Sequence, residues 1–296
     1  MKNCLRLGLT AALAVMGAGV ADAGDRNMTI TTRGDRPLES CNQVEITSDN
    51  GTVVRADEEF TLAGTATLRG RTAPNGGFYV QAWDRAEVSV RLCKAAVAGS
   101  RRAAEDLLRR ISLTREPGRL EVSGPGDDWV AYLIVFVPRA MALDFRTSNG
   151  PIDLTGTSGR VTVGTENGPI ALRDCSGDIT ARTENGPVSY RGTGGGRVEL
   201  RTQNGPVSVK LTTGRWSGGS LEASTQNGPL QFTAPEDFRP GAQVISTGYG
   251  PWNCKGKPCS GTWTGRERRM QLGGDPAVTL STVNGPVSVS LQPGIM

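Results

Sequence analysis

Two acidic residues, Glu166 and Glu184, stand 18 positions apart in the same local phrase, T-E-N-G-P, with Arg182 and Arg201 close by in the chain. Paired carboxylates at a defined separation, with a cation to neutralise the substrate, are what hydrolysis or elimination on an acidic polysaccharide requires. The same residues also read as interleaved charges on a solvated face, which is the commoner meaning of such a pattern. The chain contains no histidine, so the most frequent general base and metal ligand is missing. No phosphate-cradling loop, dinucleotide fingerprint, calcium-loop spacing or nucleophile elbow occurs. The sequence therefore assigns no catalytic, cofactor-binding or metal-ligating residue, and the expectation is a protein that is not an enzyme and carries no cofactor.

The phrase that carries Glu166 and Glu184 is itself the main signal. Asn-Gly-Pro occurs six times, at Asn149, Asn167, Asn185, Asn204, Asn227 and Asn284, and a degraded copy reads T-G-Y-G-P from 247. With Tyr249 standing in for asparagine, the steps are 18, 18, 19, 23, 22 and 35 residues. A period near twenty marks a solenoid, whose unit cannot bury its apolar face alone and must stack on its neighbours. Each unit carries two short alternating runs, such as Val161 with Val163 before the turn and Ile170 with Leu172 after it. Period two means strand, and a Gly-Pro between the runs would break any helix. Counting by twos places Thr165 and Asn167 on the inward face, with Asn-Gly as a bend between residues that tolerate positive φ. In-register stacking would then line the six asparagines into an amide ladder, a structural role rather than a ligand site. Seven rungs at about 4.8 Å would make a stack of roughly 30 to 35 Å.

The rest of the chain frames that stack. Residues 1–23 read as a signal peptide: Lys2 and Arg6 start it, 7–20 form the apolar core, and Ala21-Asp22-Ala23 is the cleavage site. That core is shorter than the roughly 20 residues a membrane span needs, so no transmembrane span is expected in the mature chain. Residues 24–143 read as a β-rich region, with strands near 44–47, 51–55, 60–69, 78–83, 86–93, 120–122 and 129–137. One helix, 101–111, carries Ala104, Leu107, Leu108 and Ile111 on one side. The repeat domain occupies 144–296. Asn75-Gly76 and Asn50-Gly51 look like distant echoes of the repeat. An exported chain can oxidise its cysteines. Cys254 and Cys259 flank a tight K-G-K-P loop suited to a local disulfide, Cys41 and Cys93 are a candidate second bridge, and Cys175 is left over. A formal net charge of +4 is too balanced to argue for nucleic acid.

Taken together, the N-G-x-φ-x-φ units at 18-residue steps, the upstream 82–88 run A-W-D-R-A-E-V, the helix and the Val135–Pro138 strand end resemble a bacterial β-strand-repeat family known as "putative adhesins", whose function is not established. The resemblance spans about 45–291. It implies a mostly β, solenoid-bearing protein of the periplasm, cell envelope or surface, and it brings no catalytic residues. This chain differs in the proline after nearly every Asn-Gly and in the cysteine-bearing insertion between Trp252 and Arg269. Three functions stay open at this point: recognition or scaffolding with a glycan or envelope protein as partner, a β-helix carbohydrate-active enzyme, and a self-assembling envelope component.

Overall fold

A computed structural model describes residues 28–32, 38–248, 250–255, 260–264 and 267–293. The predicted signal peptide, 1–23, lies outside the described residues. The protein is mostly β, and among the described residues 22 strands belong to one large mixed sheet system.

The N-terminal region contains β1 (Met28–Thr32), β2 (Val44–Ser48), β3 (Thr52–Leu62), β4 (Thr67–Trp83), β5 (Val88–Ala98), α1 (Arg101–Arg110), β6 (Ser112–Glu116), β7 (Arg119–Ser123) and β8 (Trp129–Pro138). The run expected as one strand over 60–69 is two, because Gly64 lies so close to the Ala86 carbonyl that a Cβ there would sit 2.0 Å from its oxygen. Ser100 caps α1 by accepting the Ala103 N–H. The helix buries Ala104, Leu107 and Leu108. Leu107 and Leu108 join the main apolar core, so α1 closes the open end of that core. On the other face of β4, β5 and β8, the β1–β2 hairpin covers a second small core of Tyr79, Cys93, Ala95, Val130, Tyr132 and Ile134.

The long β4 bends at Asn75-Gly76 and supplies strands to two parallel sheets at once. Its first half pairs with β9 (Ala142–Asn149) and its second half with β10 (Ile152–Thr155). From there the chain alternates between the sheets. One, called the ladder sheet, continues through β11 (Val161–Asn167), β13 (Ile179–Asn185), β15 (Val198–Asn204) and β17 (Leu221–Asn227). The opposing sheet continues through β12 (Ile170–Arg173), β14 (Val188–Gly192), β16 (Val207–Leu211) and β18 (Leu230–Pro235). Register is kept residue for residue: Val161 pairs with Ile179, Thr165 with Thr183 and Asn167 with Asn185. Inward residues such as Val163, Ile170, Leu172, Leu200 and Val209 are at most 2% exposed. Burying each contributes about 1.5–3 kcal/mol, and no single unit could do so alone.

The C-terminal part departs from the order of the sequence. It contains β19 (Gly241–Ser246), β20 (Trp252–Lys255), β21 (Ser260–Thr264), β22 (Glu267–Leu272), β23 (Pro276–Asn284) and β24 (Val287–Gln292). The degraded copy was expected to stack directly on the Asn227 unit. Instead β17 and β18 pair with β23 and β24, and β19 and β20 lie on the far side of that last coil. The difference is chemical: the intact Asn284 phrase supplies the amide that continues the file from Asn227, whereas the degraded copy keeps Thr247 and Gly250 but has Tyr249 in place of asparagine. Tyr249 itself lies outside the described residues. The stack also begins earlier than expected, since Asn75 in β4 pairs with Asn149 and the parallel pairing crosses residue 143. Asn50-Gly51 forms no such level; it leads into β3, which pairs antiparallel with β5.

Candidate functional site

The Asn-Gly-Pro corner determines what the outer face can present. Each asparagine Nδ2 donates to the Oδ1 of the asparagine one level nearer the N-terminus: Asn149 to Asn75 at 3.2 Å, Asn167 to Asn149 at 2.9 Å, Asn185 to Asn167 at 2.9 Å, Asn204 to Asn185, Asn227 to Asn204 and Asn284 to Asn227 at 3.0 Å each. The file is closed at its first member, where Asn75 donates to the Asp127 carbonyl. The asparagines do not point inward as the count by twos predicted. Asn167, Asn185, Asn204, Asn227 and Asn284 are exposed at the bend, because the strand has already reached the corner when it arrives at them. The threonine two residues earlier is the buried member. Thr183 Oγ1 donates to the Gly168 carbonyl at 3.1 Å and Thr202 Oγ1 to the Gly186 carbonyl at 2.8 Å, whereas the buried hydroxyls of Thr72 in β4 and Ser246 in β19 have no partner among the described residues.

Gly150 has the positive φ expected of the bend, +155°, but at later levels the glycine is required for a different reason. Gly168 and Gly186 do not have positive φ. A Cβ on Gly186 would instead sit 2.2 Å from the Gly168 carbonyl oxygen, so the levels can approach this closely only where that carbon is missing.

This fixed register converts side chains of unrelated parts of the chain into rows. Arg71, Arg146, Gly164, Arg182, Arg201, Ser224 and Ser281 share one register line across the ladder sheet. Two residues further along, Ser148, Glu166, Glu184, Gln203, Gln226 and Val283 accompany them, and the two rows border an open groove of about 790 Å³. Arg182 and Arg201 both hold Glu199, each at 2.8 Å, and Arg146 reaches Asp144 at 3.4 Å. Glu166 and Glu184 stand exposed on successive levels of the groove wall. The arrangement offers guanidinium, carboxylate, amide and hydroxyl groups in sequence along one axis, a surface suited to many weak polar contacts with an extended ligand. The sequence placed Glu166, Glu184, Arg182 and Arg201 near one another but missed Arg71. Its register is hidden by one extra residue between Thr72 and Asn75, where the pairing shifts.

Elsewhere, Arg173 pairs with Asp153 on the outer face of the opposing sheet. Burial raises the Asp153 carboxyl from its ordinary value, against the lowering effect of Arg173. Cys41 and Cys93 form a disulfide that fastens the segment leading into β2 to β5. The predicted Cys254–Cys259 pair falls on Cys259, which lies outside the described residues. Cys175 is a free, buried thiol whose ionisation burial pushes up. Among the described residues no cluster of three or more His, Cys, Asp or Glu is placed to hold a metal ion. No described helix is long and apolar enough to cross a membrane.

Comparison with protein-family models and with curated proteins finds no match. Solved structures do match over most of the chain. A "putative adhesin" from Bacteroides fragilis is 12% identical, with 81% of this chain and 97% of that one covered and a TM-score of 0.37. A "putative cell adhesion protein" from Clostridium sporogenes is 9% identical, with 81% and 100% covered and a TM-score of 0.34. A "putative lipid binding protein" from Parabacteroides distasonis is 12% identical, with 80% and 97% covered and a TM-score of 0.26. The structural neighbours are thus bacterial proteins described as adhesins, cell adhesion proteins or lipid binding proteins. Scores this low add no weight to any one function, which rests on the geometry above.

Proposed function

We propose that the stack is a β-solenoid and that the protein is an exported, non-enzymatic envelope or surface component that recognises an extended glycan along the ladder sheet. The observation that carries the reading is the groove itself: about 790 Å³, open along its length, and walled by side chains that recur in the same two rows from Arg71 to Ser281. A compact substrate would use one or two levels; a polymer can use them all, gaining affinity from many weak contacts. The Cys41–Cys93 disulfide and the signal-like 1–23 segment support export.

A glycan array on the mature chain, run beside an assay of reducing-end release, tests this. Binding without turnover is expected, and Arg182→Ala with Arg201→Ala should weaken it at least about tenfold, since a hydrogen bond to a charged group contributes about 1.5–3 kcal/mol. Glu166 and Glu184 on adjoining levels favour one second reading, a carbohydrate-active enzyme. Release of reducing ends that Glu184→Gln abolishes would replace the binding reading with that one.

A further inference from the structure

One coil of the stack is out of order, and its setting defines a slot. β23 and β24 are sandwiched between β17–β18 and β19–β20, although all four flanking strands precede them in the chain. Both walls of the slot are fully used. On one side Asn284 donates to Asn227, Thr282 Oγ1 donates to the Gly228 carbonyl, and the Leu230 N–H donates to the Pro286 carbonyl. On the other, the Val287 N–H donates to the Pro251 carbonyl. Without the coil, two parallel edges with unpaired backbone groups would face each other across two strand spacings, about 9.6 Å, which is room for one further strand.

The connection into the coil is short. Residues 273–275 are exposed and Gly273 has φ +70°, while the Gly274 carbonyl accepts from Gln271 Nε2 at 3.2 Å. This loop passes the start of β19, where the Gly241 N–H donates to the Asp275 carbonyl. A short hinge that reverses direction can be relieved by straightening, which would run β22 and β23 on into a single strand and carry the coil away from its own slot.

We propose that this slot accepts the 276–292 coil of a second copy of the chain as readily as its own, so that two chains close each other by reciprocal exchange. No new recognition is needed, since the incoming coil brings the same T-V-N-G-P-V-S-V phrase and the same hydrogen bonds.

The test uses the full chain carrying Ser224→Cys and Ser281→Cys, which are register partners across the slot. The protein is refolded from denaturant over a range of concentrations, separated by size with light scattering, and treated with a short bismaleimide. The expected result is a dimer whose share rises with refolding concentration and in which the crosslink joins two chains on a denaturing gel. Deleting Gly274 should raise that share severalfold. A chain that stays monomeric at every concentration overturns the proposal, as does a dimer whose crosslinks remain within single chains. If the Gly274 deletion does not fold, the variant with the native hinge decides alone. Glycan binding by the monomer is read separately, so failure here leaves the groove reading untouched.

Discussion

The two corners of each coil obey different rules. At the Asn-Gly-Pro corner the connection never changes length, and amide, hydroxyl and backbone bonds all pass from level to level. At the opposite corner the connection is 156–160, 174–178, 193–197, 212–220 and 236–240 in successive coils, so residues can be added without disturbing the strands. The lengthening of the first two 18-residue steps to 19 and then 23 residues arises from this second corner and its flanking strand ends. One corner therefore sets the register and the other absorbs variation, as loops on one face of a repeat array commonly do. The groove lies beside the first corner, where rows stay aligned.

The harshest way to break that contrast is to add one residue to each corner. A glycine inserted between Gly186 and Pro187 would turn Val188 and Tyr190 from the core to the surface. We expect loss of more than about 4 kcal/mol, or no folded protein, on denaturant unfolding. A glycine inserted between Ser217 and Gly218, where the chain is exposed, should cost less than about 0.5 kcal/mol, because loop closure depends weakly on length. Equal losses would show that the corners do not differ.

A single Cβ sharpens the same point within the ladder sheet. Gly186→Ala would meet the Gly168 carbonyl oxygen at 2.2 Å, and only the levels themselves can move apart to relieve it. The expected loss is about 3–5 kcal/mol, at the high end for one substitution. Gly164→Ala, in the middle of β11, meets the Arg182 carbonyl at an ordinary 3.7 Å and should change stability by less than about 0.5 kcal/mol. Urea midpoints of the two variants give the comparison directly.

The sequence showed the first corner clearly because in-register stacking forces every level to repeat the same answer to the same local problem. Thr, Asn and Gly recur because each meets its own counterpart above and below. The 101–111 helix was legible from its apolar spacing, and Ser100 and Ile111 bound it. Spatial order was not legible: nothing local to β23 says that it enters between strands made earlier. The inward count also failed at Asn167, since alternation holds along a strand and not through its bend. Arg71 joined the groove only through the β4 register, which one extra residue at 73–74 conceals.

A milder change asks what the ladder contributes. Asn185→Ala removes its bond to Asn167 and the one it receives from Asn204, both within 3.0 Å. Water can reach the exposed corner and replaces part of the loss, so about 1–2 kcal/mol is expected in thermal or urea unfolding. A loss below about 0.3 kcal/mol would mean that glycine and threonine alone hold the corner.

The smallest effect concerns pH. The asparagine file and the threonines behind it contain no titratable group, so the corner itself should be indifferent to mild acid, and the acid dependence of stability must come from charged groups elsewhere in the molecule. Glu58 on β3 is one: the hydrogen bond from Lys94, at 2.8 Å, and the nearby Arg115 hold its carboxyl below the ordinary 4.5. A carboxyl with a lowered folded value adds stability above the unfolded value of 4.5 and loses it as pH falls through the lower folded one. Because the side chain is 35% exposed, the contribution is under about 1 kcal/mol. Glu58→Gln should therefore flatten the fall in stability below pH 4.5, while Asn185→Ala should shift the whole curve down without changing its shape. An asparagine variant that altered the acid slope would show that the corner senses charge, and the division between titrating charged pairs and a neutral corner would fail.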